Sequence, residues 1–239
     1  MTSAPGPKTA LVTGGSRGIG LATARALVRA GVRVALVARG AEELASRAKE
    51  LGNDTVVVAA DVTVAADVDR VIAEVRKAFG DVPDLLINNA GIFIPKPLNA
   101  ITTEEFQRLI TANLIAPFYV LRAILPAWRE QNRGHMITLG SVADRTIFPD
   151  NGAYSASKFG IRAMHEVLRA ETKGTGVRTT LISPSAVDTS IWETVTRPPN
   201  NRFPSRDKML TADAVADAVL WAATRPENVN VDELRITAA

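Results

Sequence analysis

Seven short apolar runs alternate with helical patterns along almost the whole chain. Most runs are rich in β-branched residues without clean polar–apolar alternation, which is typical of parallel strands covered on both faces. The alternation predicts an α/β fold, a Rossmann-type doubly wound parallel sheet of about seven strands flanked by helices on both faces. The expected strands are 9–13, 32–38, 55–60, 84–88, 135–140, 177–183 and 231–237, and the expected helices are 18–30, 41–51, 64–79, 103–131, 152–172 and 211–224.

The length of 239 residues suits one such domain, and we expect a single domain over 1–239. Residues 1–7 lack the basic start and apolar centre of a signal peptide, so we expect a flexible N-terminus there. The stretch 183–210 is rich in proline and polar residues and has no clear period. Because long loops in compact domains usually serve function, we expect a substrate-binding loop or lid at about 188–210.

Composition excludes several classes of function. The chain has no cysteine and only two histidines, His135 and His165, so we expect no disulfide and no metal site. Its formal charge of +3 is spread without a basic stripe, which argues against a nucleic-acid partner. No apolar stretch was found to reach the roughly 18 residues of a membrane span, so we expect no membrane partner and a cytoplasmic location.

The glycine-rich stretch "TGGSRGIG" (13–20) lies between the first expected strand and the first expected helix. Backbone N–H groups and the helix dipole favour an anion at this position, and glycine lets the backbone approach it closely. Gly14, Gly18 and Gly20 therefore predict a seat for the pyrophosphate of a dinucleotide. The alternative is a turn whose glycines only permit close packing of strand and helix.

The end of the second expected strand selects between the two nicotinamide cofactors. An NAD site would place a carboxylate there for the ribose hydroxyls, but the chain has Ala38 and Arg39. Arg39, together with Arg17 in the glycine turn, could clamp a 2′-phosphate. Each arginine alone could equally be a solvated surface charge. Together with the missing acid they favour NADP(H).

A candidate catalytic group is formed by Tyr154 and Lys158, which lie one helical turn apart in "YSASK". A nearby ammonium is expected to stabilise the phenolate and to bring the pKa of the tyrosine towards the working range. Ser141 ends an expected strand, where its hydroxyl could polarise a substrate carbonyl. The alternative is an ordinary helix start and a serine that serves the turn.

With these motifs in order, the chain resembles the short-chain dehydrogenase/reductase family. The matching segments are "TGGSRGIG" (13–20), "DV" (61–62), "NNAG" (88–91), "TANLIAPF" (111–118), Ser141 and "YSASK" (154–158), and the resemblance runs from about 8 to 190. It implies an NADP(H)-dependent oxidoreductase that interconverts a carbonyl and a secondary alcohol by hydride transfer. It also implies a small-molecule substrate and a homo-oligomer, either a dimer or a tetramer.

The resemblance assigns a role to each matched residue. Tyr154 is the acid in reduction and the base in oxidation, Ser141 orients the carbonyl oxygen, and Lys158 holds the nicotinamide ribose. Asn113 holds a water for proton exchange and completes the catalytic set. The cofactor-binding residues implied are Gly14, Ser16, Arg17, Gly18, Ile19, Gly20, Arg39, Asp61, Val62, Asn88, Ala90, Gly91, Tyr154, Lys158, Pro184, Val187 and Thr189.

The chain departs from the family at "PS" (184–185), where Pro-Gly is usual, and in its tail "VNVDELRITAA" (229–239). Phe93, Phe148 and Trp192 follow site segments and could line an apolar substrate pocket, or could be core residues. Two substrate classes stay open, a 3-oxoacyl or 3-hydroxy acid and a bulkier ketone or aldehyde. A non-catalytic NADP-sensing protein on the same fold is the alternative from another class.

Overall fold

The computed structural model describes residues 6–195 and 203–239, and its central element is a parallel sheet of seven strands. The strand order is β3-β2-β1-β4-β5-β6-β9, and a separate ribbon pairs β7 with β8. The strands are β1 (Thr9–Thr13), β2 (Arg33–Ala38), β3 (Val56–Ala59), β4 (Leu85–Asn88), β5 (Gly134–Leu139), β6 (Val177–Pro184), β7 (Val187–Asp188), β8 (Leu210–Thr211) and β9 (Glu233–Ile236). The predicted doubly wound α/β fold is confirmed.

Helices cover both faces of the sheet, which is why its strands lack alternation. They are α1 (Gly18–Arg29), α2 (Ala41–Leu51), α3 (Ala65–Phe79), α4 (Thr103–Ile110), α5 (Ala116–Gln131), α6 (Gly152–Thr172) and α7 (Ala212–Ala223). On one face, Leu27 of α1 and Val219 of α7 pack in a core cluster with strand residues such as Ile137. On the other face, Ile124 of α5 and Leu168 of α6 belong to a second cluster.

The helix predicted over 103–131 begins at the predicted residue, but a π-helical turn divides it into two α-helices. The Thr102 hydroxyl accepts a hydrogen bond from the Glu105 backbone N–H at 3.2 Å, and the Glu105 carboxylate accepts one from the Thr102 N–H at 3.1 Å. This capping box fixes the start of α4. A π-helical turn at Thr111–Ile115 then separates α4 from α5. The expectation of one uniform helix was therefore wrong at this turn.

One segment, Thr103–Gln131, is long and apolar enough to cross a membrane by length and composition, because it contains an 18-residue window with a mean hydropathy of 1.5. The expectation that no stretch would reach this limit was wrong for this segment. Val120, Leu121, Ile124 and Trp128 of α5 are buried in the core cluster against the sheet. Packing against the sheet therefore accounts for the apolar face of α5 that these residues form.

Because the sheet strands are parallel, β1, β4, β5 and β6 all end at one edge of the sheet, where ligands bind in open α/β folds. The segment predicted as a lid follows β6 and includes 3₁₀ turns at Ser190–Thr194 and Arg206–Lys208. Residues 196–202 of that segment, and 1–5 of the expected flexible N-terminus, lie outside the described residues. The β7–β8 ribbon joins the two ends of the lid segment.

Candidate active site

A cavity of about 1180 Å³ lies at the carboxyl ends of the strands. It brings together segments that are far apart in the sequence, and every predicted site residue lines it except Gly20 and Asn88. The predicted residues on its wall are Gly14, Ser16, Arg17, Gly18, Ile19, Arg39, Asp61, Val62, Ala90, Gly91, Phe93, Asn113, Ser141, Phe148, Tyr154, Lys158, Pro184, Val187, Thr189 and Trp192.

Gly20 and Asn88 do not line the cavity; they pack against residues next to it. A Cβ at Gly20 would lie 2.2 Å from the Gly14 carbonyl oxygen, so glycine is needed where α1 packs against the turn. Asn88 is buried, and its side-chain N–H donates to the Pro117 carbonyl at 3.4 Å. Neither residue lines the cavity, and their contact with a cofactor stays a prediction.

Asn89 lines the cavity in place of Asn88 and was missed as a site residue. Its side-chain amide donates to the carbonyl oxygens of Thr13 at 2.9 Å and Gly14 at 3.2 Å. The Thr13 hydroxyl in turn accepts hydrogen bonds from the backbone N–H groups of Asn89 and Ala90, both at 3.1 Å. These bonds fix the glycine turn to the end of β4. The "NNAG" motif indicated this segment, but it did not indicate which asparagine side chain bonds to the glycine turn.

The glycine turn leaves the N-terminus of α1 free for an anion. Gly14 and Gly18 have φ values of +65° and +55°, which favour glycine at both positions. Arg17 is the N-cap residue, without a side-chain hydrogen bond to the helix, and the first turn of α1 has no acidic residue. Arg47, which sequence reasoning missed, donates from Nε to the Ser16 carbonyl at 3.2 Å. A negatively charged group can therefore approach uncapped backbone N–H groups.

Two guanidinium groups lie on the cavity wall beside this helix end. Arg17 and Arg39 are exposed, and neither side chain forms an ion pair or hydrogen bond with another residue in the described part of the chain. Asp61, at the turn after β3, accepts hydrogen bonds on Oδ1 from the Thr63 N–H at 3.0 Å and hydroxyl at 2.7 Å. The carboxylate of Asp61 thus stabilises its own turn, while the two arginines remain available to an anion.

Tyr154, Lys158 and Ser141 converge at the floor of the cavity. Because α6 begins at Gly152, Tyr154 and Lys158 lie one turn apart near its start. Lys158 donates from Nζ to the Leu139 carbonyl at 2.9 Å, and Nζ is 5.7 Å from the centre of the Tyr154 ring. The Ser141 hydroxyl accepts a hydrogen bond from the Ala143 N–H at 3.1 Å and is hydrogen-bonded to the Tyr154 side chain.

Burial governs the protonation of the two ionisable groups. It raises the pKa of Tyr154 to about 12, opposed by the hydrogen bond with Ser141. It lowers the pKa of Lys158 to about 8. The expectation that Lys158 brings the pKa of Tyr154 towards neutrality is not met in this structure, because burial outweighs the favourable contacts. At neutral pH the tyrosine is protonated and the lysine is a cation.

Asn113 connects three segments around the π-helical turn. Its Oδ1 accepts a hydrogen bond from the Ile92 N–H at 2.8 Å, and its Nδ2 donates to the Ile92 carbonyl at 3.0 Å and to the Ser157 hydroxyl at 3.1 Å. A Cβ at Gly91 would lie 2.9 Å from Asn113 Oδ1, so glycine allows this close approach. The extra residue of the π turn aims Asn113 at the loop after β4 and at α6.

An aromatic wall stands beside Tyr154. The Phe93 ring lies edge-to-face with Tyr154 at a centroid distance of 4.7 Å and with Trp192 at 5.5 Å. Phe203 adds a further edge contact, 5.3 Å from Trp192. The indole N–H of Trp192 already donates to the Val187 carbonyl at 2.9 Å, so its polar atom is satisfied. Phe203 was missed because it lies in the segment 188–210, whose sequence has no clear period.

The two departures from the family pattern meet in space. The backbone N–H of Ser185 donates to the Ile236 carbonyl at 2.8 Å, and its hydroxyl accepts a hydrogen bond from the Ala238 N–H at 3.3 Å. Serine at 185 therefore joins the end of β6 to the C-terminal tail. Pro184 keeps its place on the cavity wall beside these contacts.

Comparisons with known proteins decide the family. A family model described as short chain dehydrogenase matches residues 8–200. The chain belongs to the short-chain dehydrogenase family. One similar sequence is an uncharacterized oxidoreductase from Staphylococcus haemolyticus, 35% identical over 230 residues, which are 96% of this chain and 96% of the relative.

Solved structures agree with this assignment. An alcohol dehydrogenase from the archaeon Thermococcus sibiricus, complexed with 5-hydroxy-NADP, is 32% identical, with a TM-score of 0.88 and 97% of each chain covered. A metagenomic short-chain oxidoreductase in complex with NADP is 31% identical, with a TM-score of 0.82 and 97% of each chain covered. The short-chain dehydrogenase fold thus extends over almost the whole chain.

Proposed function

We propose that this short-chain dehydrogenase reduces a ketone or aldehyde to an alcohol with NADPH, and that Tyr154 donates the proton. The observation that carries the proposal is that Ser141, Tyr154 and Lys158 line one cavity, with Tyr154 and Lys158 one turn apart on α6 and Lys158 Nζ 5.7 Å from the centre of the Tyr154 ring. An acid, a polarising hydroxyl and a cation at one point are what carbonyl reduction requires.

The residues around the cavity fit NADP(H). The uncapped N-terminus of α1 would hold the pyrophosphate, and Arg17 and Arg39 would hold the 2′-phosphate. The adenine would lie along Asp61 and Val62, and the nicotinamide carboxamide along Val187 and Thr189, with the remaining cofactor-lining residues between them. The NADP and 5-hydroxy-NADP bound by two related structures support this choice.

When bound, NADPH supplies the hydride, and this chain controls the proton. The substrate oxygen would accept hydrogen bonds from the Ser141 and Tyr154 hydroxyls. As negative charge develops on that oxygen, the proton passes to it from Tyr154, and the ammonium of Lys158 stabilises the phenolate that remains. Asn113 joins the loop after β4 to α6 through its hydrogen bonds with Ile92 and Ser157. It would also hold a water through which Tyr154 regains its proton. Alcohol oxidation uses the same groups in reverse.

The aromatic wall favours an apolar substrate. Phe93, Trp192 and Phe203 present ring surfaces beside Tyr154, and Phe148 lies on the same cavity. Since the Trp192 N–H is satisfied by Val187, these side chains offer a substrate only apolar contacts. A bulky apolar or aryl ketone fits this wall better than a carboxylate such as a 3-oxo acid.

The test is NADPH oxidation by the purified protein with an aryl ketone, a small aliphatic ketone and a 3-oxoacyl thioester. The highest kcat/KM is expected with the aryl ketone. A preference for the thioester would reassign the substrate to the 3-oxoacyl class. Tight NADPH binding without turnover of any carbonyl compound would support the non-catalytic sensor instead.

We further propose that the protein is a homodimer or a homotetramer. Helices α4, α5 and α6 carry exposed large apolar side chains, namely Phe106, Phe118, Phe159 and Val167. Helix α4 packs against α6, and α5 continues from α4 through the π turn, so these residues belong to one packed group of helices. A second copy of the chain would cover such surfaces. A monomeric mass by light scattering would contradict this proposal.

A further inference from the structure

A buried carboxylate lies directly behind the active site and belongs to no predicted site motif. Asp144 follows Ser141 by three residues and has 0% of its surface exposed. Its Oδ2 accepts hydrogen bonds from the Ser183 hydroxyl and from the Ser141 N–H, the latter at 3.4 Å. The backbone N–H of Asp144 donates to the Ser141 carbonyl at 2.9 Å. Asp144 therefore contacts both the backbone N–H and the backbone carbonyl of Ser141.

The charge of Asp144 is paired through a short ionic chain. Arg145 donates from Nε to Asp144 Oδ1 at 2.8 Å, and its Nη1 forms an ion pair with Glu233 of β9. A buried carboxylate is tolerated only when such partners satisfy it. A Cβ at Gly140 would lie 2.7 Å from Asp144 Oδ2 and 2.8 Å from Ser183 Oγ, so glycine at 140 leaves space for the carboxylate.

We propose that Asp144 is a positioning residue of the active site, which fixes the backbone of Ser141 and places a negative charge behind Tyr154 and Lys158. The proposal rests on the proposed function, in which Tyr154 transfers the proton. It is carried by the complete burial of Asp144, by its contacts on both sides of Ser141 and by its partner Arg145.

The charged and titratable groups around Asp144 determine the sign of its effect. They are Tyr154 and Lys158 from α6, Arg145 from its own loop, and Glu233 from β9 behind Arg145. The negative charge of Asp144 raises the pKa of Tyr154 and of Lys158. It therefore favours the protonated tyrosine, which is the form that acts in reduction.

The deciding variant is Asp144→Asn, which removes the charge and keeps the size of the side chain. The pKa of Tyr154 then falls, so the rising limb of the pH profile for alcohol oxidation should lie at lower pH in the variant than in the wild type. Asp84→Asn is the matched control, because Asp84 is also paired with an arginine, Arg133, but lies at the opposite end of the sheet. In Asp84→Asn the rising limb of the pH profile should lie at the same pH as in the wild type.

A role of Asp144 in folding alone predicts lower activity with an unmoved pH profile, and that result would overturn the proposal. If Asp144→Asn does not fold, Asp144→Ser, which is smaller and also neutral, provides the same test with the same expected direction.

A second readout separates this inference from the proposed function. The chain has two tyrosines, so the phenolate absorbance of the wild type minus that of Tyr154→Phe reports the ionisation of Tyr154 alone. The same difference, measured in the Asp144→Asn background, should titrate at lower pH whether or not any carbonyl compound is turned over. An unchanged titration contradicts the role of Asp144, whereas an inactive wild type contradicts only the proposed function.

Discussion

Strand β5 has a buried ionisable group at each end, and only the group at its carboxyl end lines the cavity. At its carboxyl end, the Leu139 carbonyl holds the ammonium of Lys158. At its amino end, His135 is buried with Nε2 at 2.8 Å from the Thr180 hydroxyl. Burial lowers the pKa of Lys158 to about 8 and that of His135 to about 3. A perturbed pKa alone therefore does not identify a catalytic group.

The two ends differ in what surrounds the buried group. The carboxyl end opens into the cavity, which Lys158 lines together with Tyr154 and Ser141. The amino end is closed, and its polar contacts tie strands together: Asp84 accepts hydrogen bonds from the N–H groups of Lys8 and Thr9. A buried ionisable group that shares a solvent-accessible cavity with other polar groups is a candidate site residue. A buried ionisable group outside such a cavity stabilises the fold.

The largest expected effect comes from removing the proton donor at the open end. Tyr154→Phe should lower kcat by about 10²- to 10⁴-fold, because general acid catalysis contributes about that much, while NADPH binding stays within a few-fold of wild type. Steady-state kinetics and NADPH fluorescence titration measure the two quantities. Tyr119→Phe, which changes the other tyrosine of the chain, on α5, is the control and should retain activity. Turnover that survives in Tyr154→Phe would assign the proton to another donor.

The next largest effect concerns cofactor selection at the same edge of the sheet. Arg39→Asp replaces a guanidinium without a partner in the described chain by a carboxylate that repels the 2′-phosphate and can accept ribose hydroxyls. The ratio of kcat/KM for NADPH to that for NADH should fall by about 10- to 100-fold. Lys77→Asp, an exposed change near the end of α3, serves as the control. A ratio that is unchanged in Arg39→Asp would refute the clamp.

The fold was predictable because each strand and helix is marked by its own residues. The bounds of β1, α2 and α6 agree with the prediction, and the other strands of the main sheet and the other predicted helices differ by a few residues, apart from the break in 103–131. The two-residue strands β7 and β8 were not predicted, because two residues carry no period. The π turn at Thr111–Ile115 was also missed, since a widened helical turn leaves no side-chain pattern.

The site residues also fall into a group that the sequence predicts and a group that it does not. Residues whose chemistry needs a fixed local spacing, such as Tyr154 and Lys158, were predicted and line one cavity. Phe203, Arg47 and Asp144 were missed because they reach the site through tertiary contacts that no local spacing records. The sequence thus predicts groups fixed by one helix or turn, and it does not predict the groups that support them from other elements.

A moderate effect is expected from the aromatic wall. Trp192→Ala removes the ring that contacts Phe93 and Phe203, so KM for an aryl ketone should rise about tenfold, with a smaller change for a small aliphatic ketone. Trp221→Ala is the control, because Trp221 is exposed on α7 and its ring contacts Arg225. Equal effects of Trp192→Ala on both ketones would argue that the wall shapes the loop rather than binds the substrate.

The smallest effect belongs to the closed end of β5 and is a change in stability. Burial lowers the pKa values of His135 to about 3 and of His165 to about 4, against 6.5 for an accessible histidine. In the unfolded chain both take up a proton as the pH falls below 6.5, while in the folded protein they stay neutral. Stability is therefore lost as the pH falls from 6.5 to 4, by roughly 2 kcal/mol per histidine at pH 5.

His165→Leu tests this directly, because the chain has only these two histidines. Urea unfolding of the wild type and of the variant at pH 7 and pH 5 measures the two free energies of unfolding. The variant should lose about half as much stability between these pH values as the wild type, since only His135 still titrates. Equal losses would mean that carboxylates rather than the histidines set the acid sensitivity. In either case NADPH-dependent turnover at pH 7 should not change, because the closed end of β5 has no contact with the cavity.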